Sequence, residues 1–425
     1  MRVTFSIQNR QYLRNTNNSL KNMLKSYDKI MTQKKFNRVS QDPSNASKSV
    51  TTRRQLWNLD MYNSNLATAK EVFSAAETNL RSINNMYVST VKPKIIQGAN
   101  ISTYDPTDRQ IIATEMRLLA DHIVDTMNAD FAERKLFGGT SAGATPYVLH
   151  DSVSISINQS VLTDGLDPAD AADLIDELTE RFGAPDAGGN FEVFNLGGAN
   201  RSPVVCYNGV PVDMSALDER FAGLPSASYS ISYVKDGVAV DRNGRADSNP
   251  QEIYIDFDRA REARDNSLLF PASNPIFVDV GMGINYINGE VDPQTAMDIS
   301  LNGAKMLGSG LYGGFSHNMA QALYDAAFAL DNDDRFDIVA AIDALDNSMT
   351  NVLQSITNIG AKHMSIDFYE IKNEDYEFSL KERQNNVEGV DIYDEITYFN
   401  ALEAAFQAAL QLSAKVLPRS VFDFI

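Results

Sequence analysis

The most regular feature of the sequence is a pair of apolar series whose members are spaced alternately by three and four residues. The first series comprises Leu59, Tyr62, Leu66, Ala69, Phe73, Ala76, Leu80, Ile83 and Tyr87. The second comprises Ile342, Leu345, Met349, Val352, Ile356, Ile359, His363 and Ile366. This spacing is typical of the a and d positions of a coiled coil, and at 1.5 Å per residue the series extend about 40 Å and 35 Å. We therefore expect two long helices, each packed against a partner helix.

Further helices are expected in the N-terminal third. Residues 5–35 have helical apolar spacing, and Pro43 interrupts it before the long seam helix of about 45–92 begins. Pro93 is expected to end or kink that helix, because proline has no amide hydrogen to donate. Another helix is expected over about 105–139, since it begins at Asp-Pro and ends at a glycine pair.

The apolar spacing becomes alternating in the middle of the chain, where Gly, Pro, Asn and Asp separate short segments. Alternation predicts strands at 153–157, 229–233 and 252–257. A short helix is expected at 166–182, and helical spacing returns at about residue 315. This order predicts a mainly α protein, in which both termini form an elongated helical coiled-coil body and a β-rich middle domain is inserted.

The expected domains combine segments from both ends of the chain. A terminal helical domain is expected at residues 1–44 with 386–425. A coiled-coil helical domain is expected at residues 45–140 with 300–385. An inserted β-rich outer domain is expected at residues 141–299.

Charge is distributed unevenly along the chain. The first sixty residues hold 12 Lys and Arg against 3 Asp and Glu, whereas residues 141–300 hold 9 against 25. The net charge of −19 disfavours nucleic acid as a partner, because an acidic surface repels phosphate. A basic amphipathic N-terminus is compatible with a membrane surface, but a solvated face or an acidic partner helix fits the same charge better. We expect neither a nucleic acid nor a membrane partner.

Cysteine content and apolar runs bear on the compartment. Cys206 is the only cysteine, so no disulfide can form within the chain. The N-terminal residues lack a continuous apolar core, which argues against a cleaved secretory signal. The apolar-rich stretch at 399–417 is interrupted by Asn, Gln, Glu and Lys, unlike a membrane span. The protein is expected to remain in the cytoplasm or to be exported without a cleaved signal.

Two short patterns match catalytic or cofactor motifs but lack their structural context. Residues 139–143 spell G-x-S-x-G, yet a nucleophilic Ser141 needs a strand before it and a helix after it, the reverse of the expected order. Residues 308–313 spell G-x-G-x-x-G without the second strand of a dinucleotide site. The four histidines share no metal-ligand spacing. No catalytic, cofactor or metal site is expected, and a secreted hydrolase with a coiled-coil stalk, resting on Ser141, is an alternative.

Both ends of the chain carry recognisable short segments. The most specific are Lys-Lys-Phe-Asn-Arg-Val-Ser-Gln-Asp-Pro at 34–43, Leu-Phe-Gly-Gly-Thr at 136–140, Ile-Gly-Ala-Lys at 359–362 and Val-Leu-Pro-Arg-Ser-Val-Phe-Asp-Phe-Ile at 416–425. In this order and at these ends, they resemble the flagellin superfamily, and within it the family of flagellar hook-associated protein 3, the hook–filament junction protein. The resemblance covers roughly residues 1–140 and 280–425.

Two marks favour the junction family over flagellin itself, which is the main alternative. One is Asp42-Pro43, where flagellins usually carry Asp-Asp-Ala, and the other is the Phe-Asp-Phe-Ile ending. Residues 91–97 depart from the family pattern, because Pro93 lies where members usually carry Arg-Glu-Leu-Ala.

The resemblance implies a non-enzymatic structural axial protein, exported by the flagellar type III apparatus and located outside the cell at the hook–filament junction. Its implied partners are the first hook-associated junction protein, flagellin, copies of itself in a ring, and a cytoplasmic export chaperone at the C-terminal helix. The apolar stripes of the terminal helices supply the predicted assembly and partner-binding residues, Leu13, Leu20, Leu24, Ile396, Phe399, Leu402, Phe406, Leu410 and Leu417.

Overall fold

A computed structural model describes most of the chain. The described residues are 5–100, 104–132, 134–139, 145–163, 167–197, 203–213, 229–246, 251–252, 276–281, 283–287, 289–292, 295–312, 315–333 and 335–416. They divide into two compact units. The first unit is Met1–Ser64 with Tyr369–Ile425, and the second is Asn65–Phe368.

Helices dominate both ends of the chain, as the sequence predicts. They are α1 (Phe5–Thr32), α2 (Pro43–Met86), α3 (Lys92–Ala99), α4 (Pro106–Met127), α5 (Gln159–Leu162), α6 (Pro168–Phe182), α7 (Gly303–Leu307), α8 (Met319–Asp331), α9 (Arg335–Glu388) and α10 (Ile392–Val416). The mainly α class with a strand-rich middle region is confirmed.

Strands occupy the middle of the chain. They are β1 (Asp130–Phe131), β2 (Arg134–Lys135), β3 (Tyr147–His150), β4 (Ser152–Asn158), β5 (Asn190–Gly197), β6 (Val204–Tyr207), β7 (Val210–Pro211), β8 (Tyr229–Lys235), β9 (Val238–Val240), β10 (Gln251–Glu252), β11 (Phe277–Val278), β12 (Tyr286–Ile287), β13 (Glu290–Val291), β14 (Met297–Asp298), β15 (Leu311–Tyr312) and β16 (Phe315–Ser316). The strands predicted at 153–157 and 229–233 are β4 and β8. Of the strand predicted at 252–257, residues 253–257 lie outside the described part.

The largest sheet is antiparallel and has the order β10-β8-β4-β5, with β9 paired to β8. A second sheet has the order β3-β6-β7. Alternate residues of β4 are buried, namely Val153, Ile155 and Ile157, so one face of the large sheet is packed. Gln321 of α8 connects the second sheet to the helices, because its side-chain oxygen accepts the Val205 amide at 2.8 Å.

The residues of the two predicted coiled-coil seams that belong to the second unit include many that are fully buried. Leu66, Phe73 and Leu80 of α2 are 0% exposed, and so are Leu345, Val352 and Ile366 of α9. The burial follows the three-and-four spacing of the sequence, because that spacing brings each residue back to the same helix face. At about 25 cal/mol per Å² of apolar surface, this seam is a main source of stability in the unit.

Pro93 was expected either to end or to kink the seam helix. The chain stays helical on both sides of Pro93, so the proline does not end the helix. A π-helical turn, Tyr87–Val91, lies between α2 and α3, and Pro93 occupies the first turn of α3. The buried residues Tyr87, Val91 and Ile95 are spaced by four, and the wider π turn keeps them on one face. Asp346 anchors the turn, because it accepts hydrogen bonds from the Tyr87 hydroxyl at 2.5 Å and from Lys92 at 2.7 Å.

The helix expected to continue to residue 139 ends earlier, at Met127. Asn128 follows it, and its side chain exchanges hydrogen bonds with the backbone of Tyr147 at 2.8 and 2.9 Å. The chain then forms the short hairpin β1–β2, in which Ala132 adopts a φ of 48°. A contact with a residue nineteen positions away therefore overrides the helical spacing of this segment.

His150 should make the stability of the second unit depend on pH. It is fully buried in β3, with its ring 4.7 Å from that of Tyr233, and burial lowers its pKa from 6.5 to about 4. Between these values the unfolded chain binds a proton that the folded unit does not. Stability should therefore fall by up to about 3 kcal/mol as the pH falls from 6.5 to 4.

The measurement is urea unfolding of the wild type and of His150→Phe at pH 7 and pH 4.5. The variant keeps an aromatic ring at this position and cannot take up the proton, so its loss of stability on acidification should be smaller than that of the wild type. An identical loss in both proteins would contradict the assignment.

Candidate assembly surface

The two terminal helices pack against each other in the first unit. The Tyr12 hydroxyl of α1 donates to the carbonyl of Ala409 in α10 at 2.9 Å, and the Ser26 hydroxyl donates to the carbonyl of Glu395 at 3.5 Å. Since the earlier residue of α1 meets the later residue of α10, the pair is antiparallel. The rings of Tyr27 and Phe399 lie 6.3 Å apart across it.

Opposite charges support this pairing. Helix α1 carries five Lys and Arg against one Asp, whereas α10 carries three Asp and Glu against one Lys. Lys29 and Glu395 form an ion pair at 3.3 Å, in which Glu395 is largely buried. The basic N-terminus seen in the sequence therefore has an acidic partner within the same chain.

The structure divides the predicted assembly residues between two faces. Phe399, Leu402 and Phe406 are half-buried and share the helical face of Glu395 and Ala409, which contact α1. Leu20 of α1 is also half-buried. These four residues belong to the side of each helix that packs within the chain. Leu417 lies outside the described residues.

The other four predicted residues are exposed. Their exposed fractions are 59% for Leu13, 53% for Leu24, 40% for Ile396 and 46% for Leu410. Ile396 and Leu410 are fourteen residues apart, close to four helical turns, so they lie on one face of α10. We call the exposed apolar side chains of α1 and α10 the outer face of the terminal pair.

Sequence reasoning missed several members of the outer face. Ile7 of α1 and Tyr393, Tyr398 and Leu412 of α10 are large apolar side chains with at least 53% exposure. Tyrosines 393 and 398 fall between the stripe positions, and therefore a single apolar stripe does not include them. Exposed apolar groups of this density on two adjacent helices are typical of a protein–protein contact surface.

The other candidate chemistry gains no support. Ser141 lies outside the described residues. Gly308 follows α7 with a φ of 90° and the hairpin β15–β16 comes next, which is a tight turn and not a strand–loop–helix phosphate site. A side chain at Gly308 would collide with the carbonyl oxygen of His317. Among the described residues, no three His, Cys, Asp or Glu side chains group closely enough to hold a metal.

His363 occupies its predicted place in the coiled-coil seam. Its ring is 19% exposed, its Nε2 lies 3.6 Å from a carboxylate oxygen of Glu77, and its ring makes an edge contact with Phe73 at 6.2 Å. None of the described helices combines the length and the apolar content of a membrane span.

Comparison with known families agrees with this helical geometry. Residues 4–142 match the family model of the bacterial flagellin N-terminal helical region. This part of the chain is similar to the N-terminal helical region of bacterial flagellins. The matched region includes α1, α2, the π turn, α3 and α4, and it supplies one helix of the terminal pair.

Several solved structures are similar to the chain at low identity. A Vibrio parahaemolyticus protein assigned as flagellar hook-associated is 17% identical, with 82% of this chain and 100% of that chain covered and a TM-score of 0.47. Bacillus cereus FlgL is 12% identical, with 79% of this chain and 99% of that chain covered and a TM-score of 0.41. Legionella pneumophila hook-associated protein 3 is 12% identical, with 79% of this chain and 98% of that chain covered and a TM-score of 0.34. No curated protein sequence matches significantly.

Proposed function

We propose that this protein is a structural axial component of the bacterial flagellum, located outside the cell at the junction between hook and filament. The observation that carries the proposal is the outer face of the terminal pair. It combines a helix of a flagellin region with the C-terminal helix and leaves large apolar side chains exposed. No catalytic role is proposed.

Assembly follows from the burial of this face. A two-helix pair buries one side of each helix, so the opposite sides can be covered only by another molecule. Full burial of a Leu or Ile side chain contributes about 1.5–3 kcal/mol, and several such side chains together stabilise a lattice contact. In this proposal the outer face packs against copies of the chain in a ring, the first hook-associated junction protein and flagellin.

The junction is favoured over the filament by the Asp42-Pro43 pair. Asp42 lies just before α2, and its carboxylate accepts the Asn45 amide at 3.0 Å, while Pro43 is the first residue of the helix. This is a standard N-cap with proline in the first turn. The same pair is one of the two marks by which the sequence resembles junction proteins more than flagellins, and flagellin itself is the second candidate.

Export without a cleaved signal, by the type III apparatus, belongs to the same proposal. An exposed apolar face on α10 would associate prematurely at cytoplasmic concentrations, so we propose that an export chaperone covers it before export. Ile396 and Leu410 are the described residues of that helix best placed for such a contact, since both were predicted as partner-binding and both are exposed.

The proposal is tested by deleting the gene and examining the cells by electron microscopy. We expect hooks without filaments and flagellin released into the medium, because filament subunits would lack their attachment site. Gold-labelled antibody against the chain should mark the hook tip of wild-type cells. If the purified chain instead formed long filaments alone and the deletion strain kept filaments of another flagellin, the protein would be a filament subunit.

A further inference from the structure

The two long helices of the first unit, α2 and α9, each have a second regular series on the back. In α2 the series is Val50, Arg54, Trp57 and Met61, and in α9 it is Ile371, Asp375, Phe378 and Glu382. Both series advance by four, three and four residues, so the members of each share one helix face. The buried seam residues Leu59 and Leu380 lie about half a turn away from these faces.

The apolar members of the two series are exposed, although they are large. Trp57 is 67% exposed and Phe378 is 71% exposed, and Val50, Met61 and Ile371 are exposed as well. Single exposed apolar side chains are normal on a protein surface, but a set with coiled-coil spacing on two neighbouring helices is typical of a contact surface. The backs of α2 and α9 are therefore suited to pack against further helices.

The two series carry opposite charges. Arg54 is the charged member of the α2 series, and Asp375 and Glu382 are the charged members of the α9 series; all three are exposed. Within the described part of the chain, none of them has an ion-pair partner. A charge inside an apolar series selects the partner, because only an opposite charge at the matching position can pair with it. We call the α2 series the basic back face and the α9 series the acidic back face.

Contacts between α2 and α9 give the relative level of the two series. The hydroxyl of Ser49 and the guanidinium of Arg53 donate to the carboxylate of Glu388, and the Asn373 side-chain amide donates to Asn63 at 3.0 Å. Since the earlier residues of α2 meet the later residue of α9, the helices are antiparallel. A step forward along α2 therefore corresponds to a step backward along α9.

Counted from these contacts, the opposite charges lie at nearly the same level. Arg54 is level with Glu382 to within about one residue, and Met61 is level with Phe378 to within about two residues, which is about 3 Å along a helix. Trp57 lies between these two levels. A second copy that stands beside the first, in the same direction and without axial shift, brings the basic back face of one copy against the acidic back face of the other.

We propose that the basic back face of one copy of this chain packs against the acidic back face of a second copy. The two faces cannot meet within one chain, because they lie on opposite outer sides of the α2–α9 pair. The contact joins two different faces, so each copy keeps one face free for a further neighbour. Such a contact repeats around a ring when the rotation closes. The inference rests on the proposed function for the location of the ring, and its surface is separate from the outer face of the terminal pair.

Cysteine cross-linking on isolated hooks tests the contact. The deletion strain produces Met61→Cys, Phe378→Cys or the double variant, and the hooks are treated with a short bismaleimide. The native Cys206 is 0% exposed and should not react. The double variant should give a ladder of dimers, trimers and larger species. Each single variant should stay monomeric, because a contact between two different faces brings neither residue to its own copy.

Charge exchange tests the pairing separately. Arg54→Glu and Glu382→Arg should each reduce the amount of the chain on hooks at least about tenfold, because like charges would face each other across the contact. The double variant should regain most of the loss. Lys372→Glu is the matched control, since Lys372 is exposed in α9 but lies beside Tyr369, away from the acidic back face, and should change nothing.

The outcomes separate this contact from the flagellar role. A chain that is present on hooks but gives no ladder in the double variant would overturn the contact and leave the junction role intact. Cross-links of a single variant, to its own copy or to another hook protein, would overturn it as well. Absence of the wild-type chain from hooks would contradict the proposed function. Purified Met61→Cys and Phe378→Cys chains, mixed and concentrated in ammonium sulfate, then decide the contact alone, and failure to form mixed dimers would overturn it.

Discussion

Replacing Ile396 and Leu410 together with Ser should weaken attachment of the protein to the hook tip about 100-fold without unpairing the terminal helices. The two side chains are 40% and 46% exposed, so the substitutions remove apolar surface that neighbours would bury and leave the packed side of α10 intact. A loss of about 1.4 kcal/mol for each side chain gives this factor. Attachment is measured by adding labelled protein to isolated hooks from the deletion strain.

The matched control is Phe399→Ser with Phe406→Ser. These half-buried residues lie on the packed side, so we expect this variant to lose helical circular dichroism as well as attachment. The Ile396/Leu410 variant should keep the wild-type spectrum. Normal attachment of the Ile396/Leu410 variant would show that the outer face of α10 is not an assembly surface.

Phe73→Ala should reduce the free energy of unfolding of the second unit by about 3–5 kcal/mol. Phe73 is 0% exposed in the seam, and removing its ring leaves a cavity that the flanking helices fill only in part. The ring also contacts Lys362, whose ammonium nitrogen lies 4.9 Å from the ring centroid. The expected loss is measured by urea unfolding followed by circular dichroism.

Phe368→Ala is the corresponding control for this prediction. Phe368 belongs to the same unit and is 64% exposed, so its truncation should change the free energy of unfolding by no more than about 0.5 kcal/mol. Equal losses in the two variants would mean that the predicted seam is not the core of the unit.

The helical seams were predictable from the sequence because their cause is local. Apolar residues spaced by three and four define one face of a helix, and Leu66, Leu345 and Ile366 are buried for that reason. The end of α4 was not predictable in this way. Asn128 stops the helix through hydrogen bonds to the distant Tyr147, and helical spacing carries no information about such a contact.

The candidate surface was predictable in part. The apolar stripes indicated which helices have contact faces, but a single stripe did not distinguish Phe399 from Ile396, since both fit helical spacing. Only the position of α1 decides which of them is covered within the chain. The hydrogen bonds that Ser49 and Arg53 donate to Glu388 could not be predicted from local sequence, because these donors lie more than 330 positions earlier in the chain. Whether the predicted residues and domains act as proposed stays a prediction.

The pairing of α1 with α10 also determines when the first unit can fold. Tyr12 and Ala409, which are hydrogen-bonded, are separated by 397 positions. A ribosome must therefore synthesise nearly the whole chain before α1 meets its partner, and at about 5–20 residues per second this takes at least about 20 seconds. Throughout synthesis α1 is a nascent basic segment without its acidic helix, whereas the seam of the second unit can close before α10 exists.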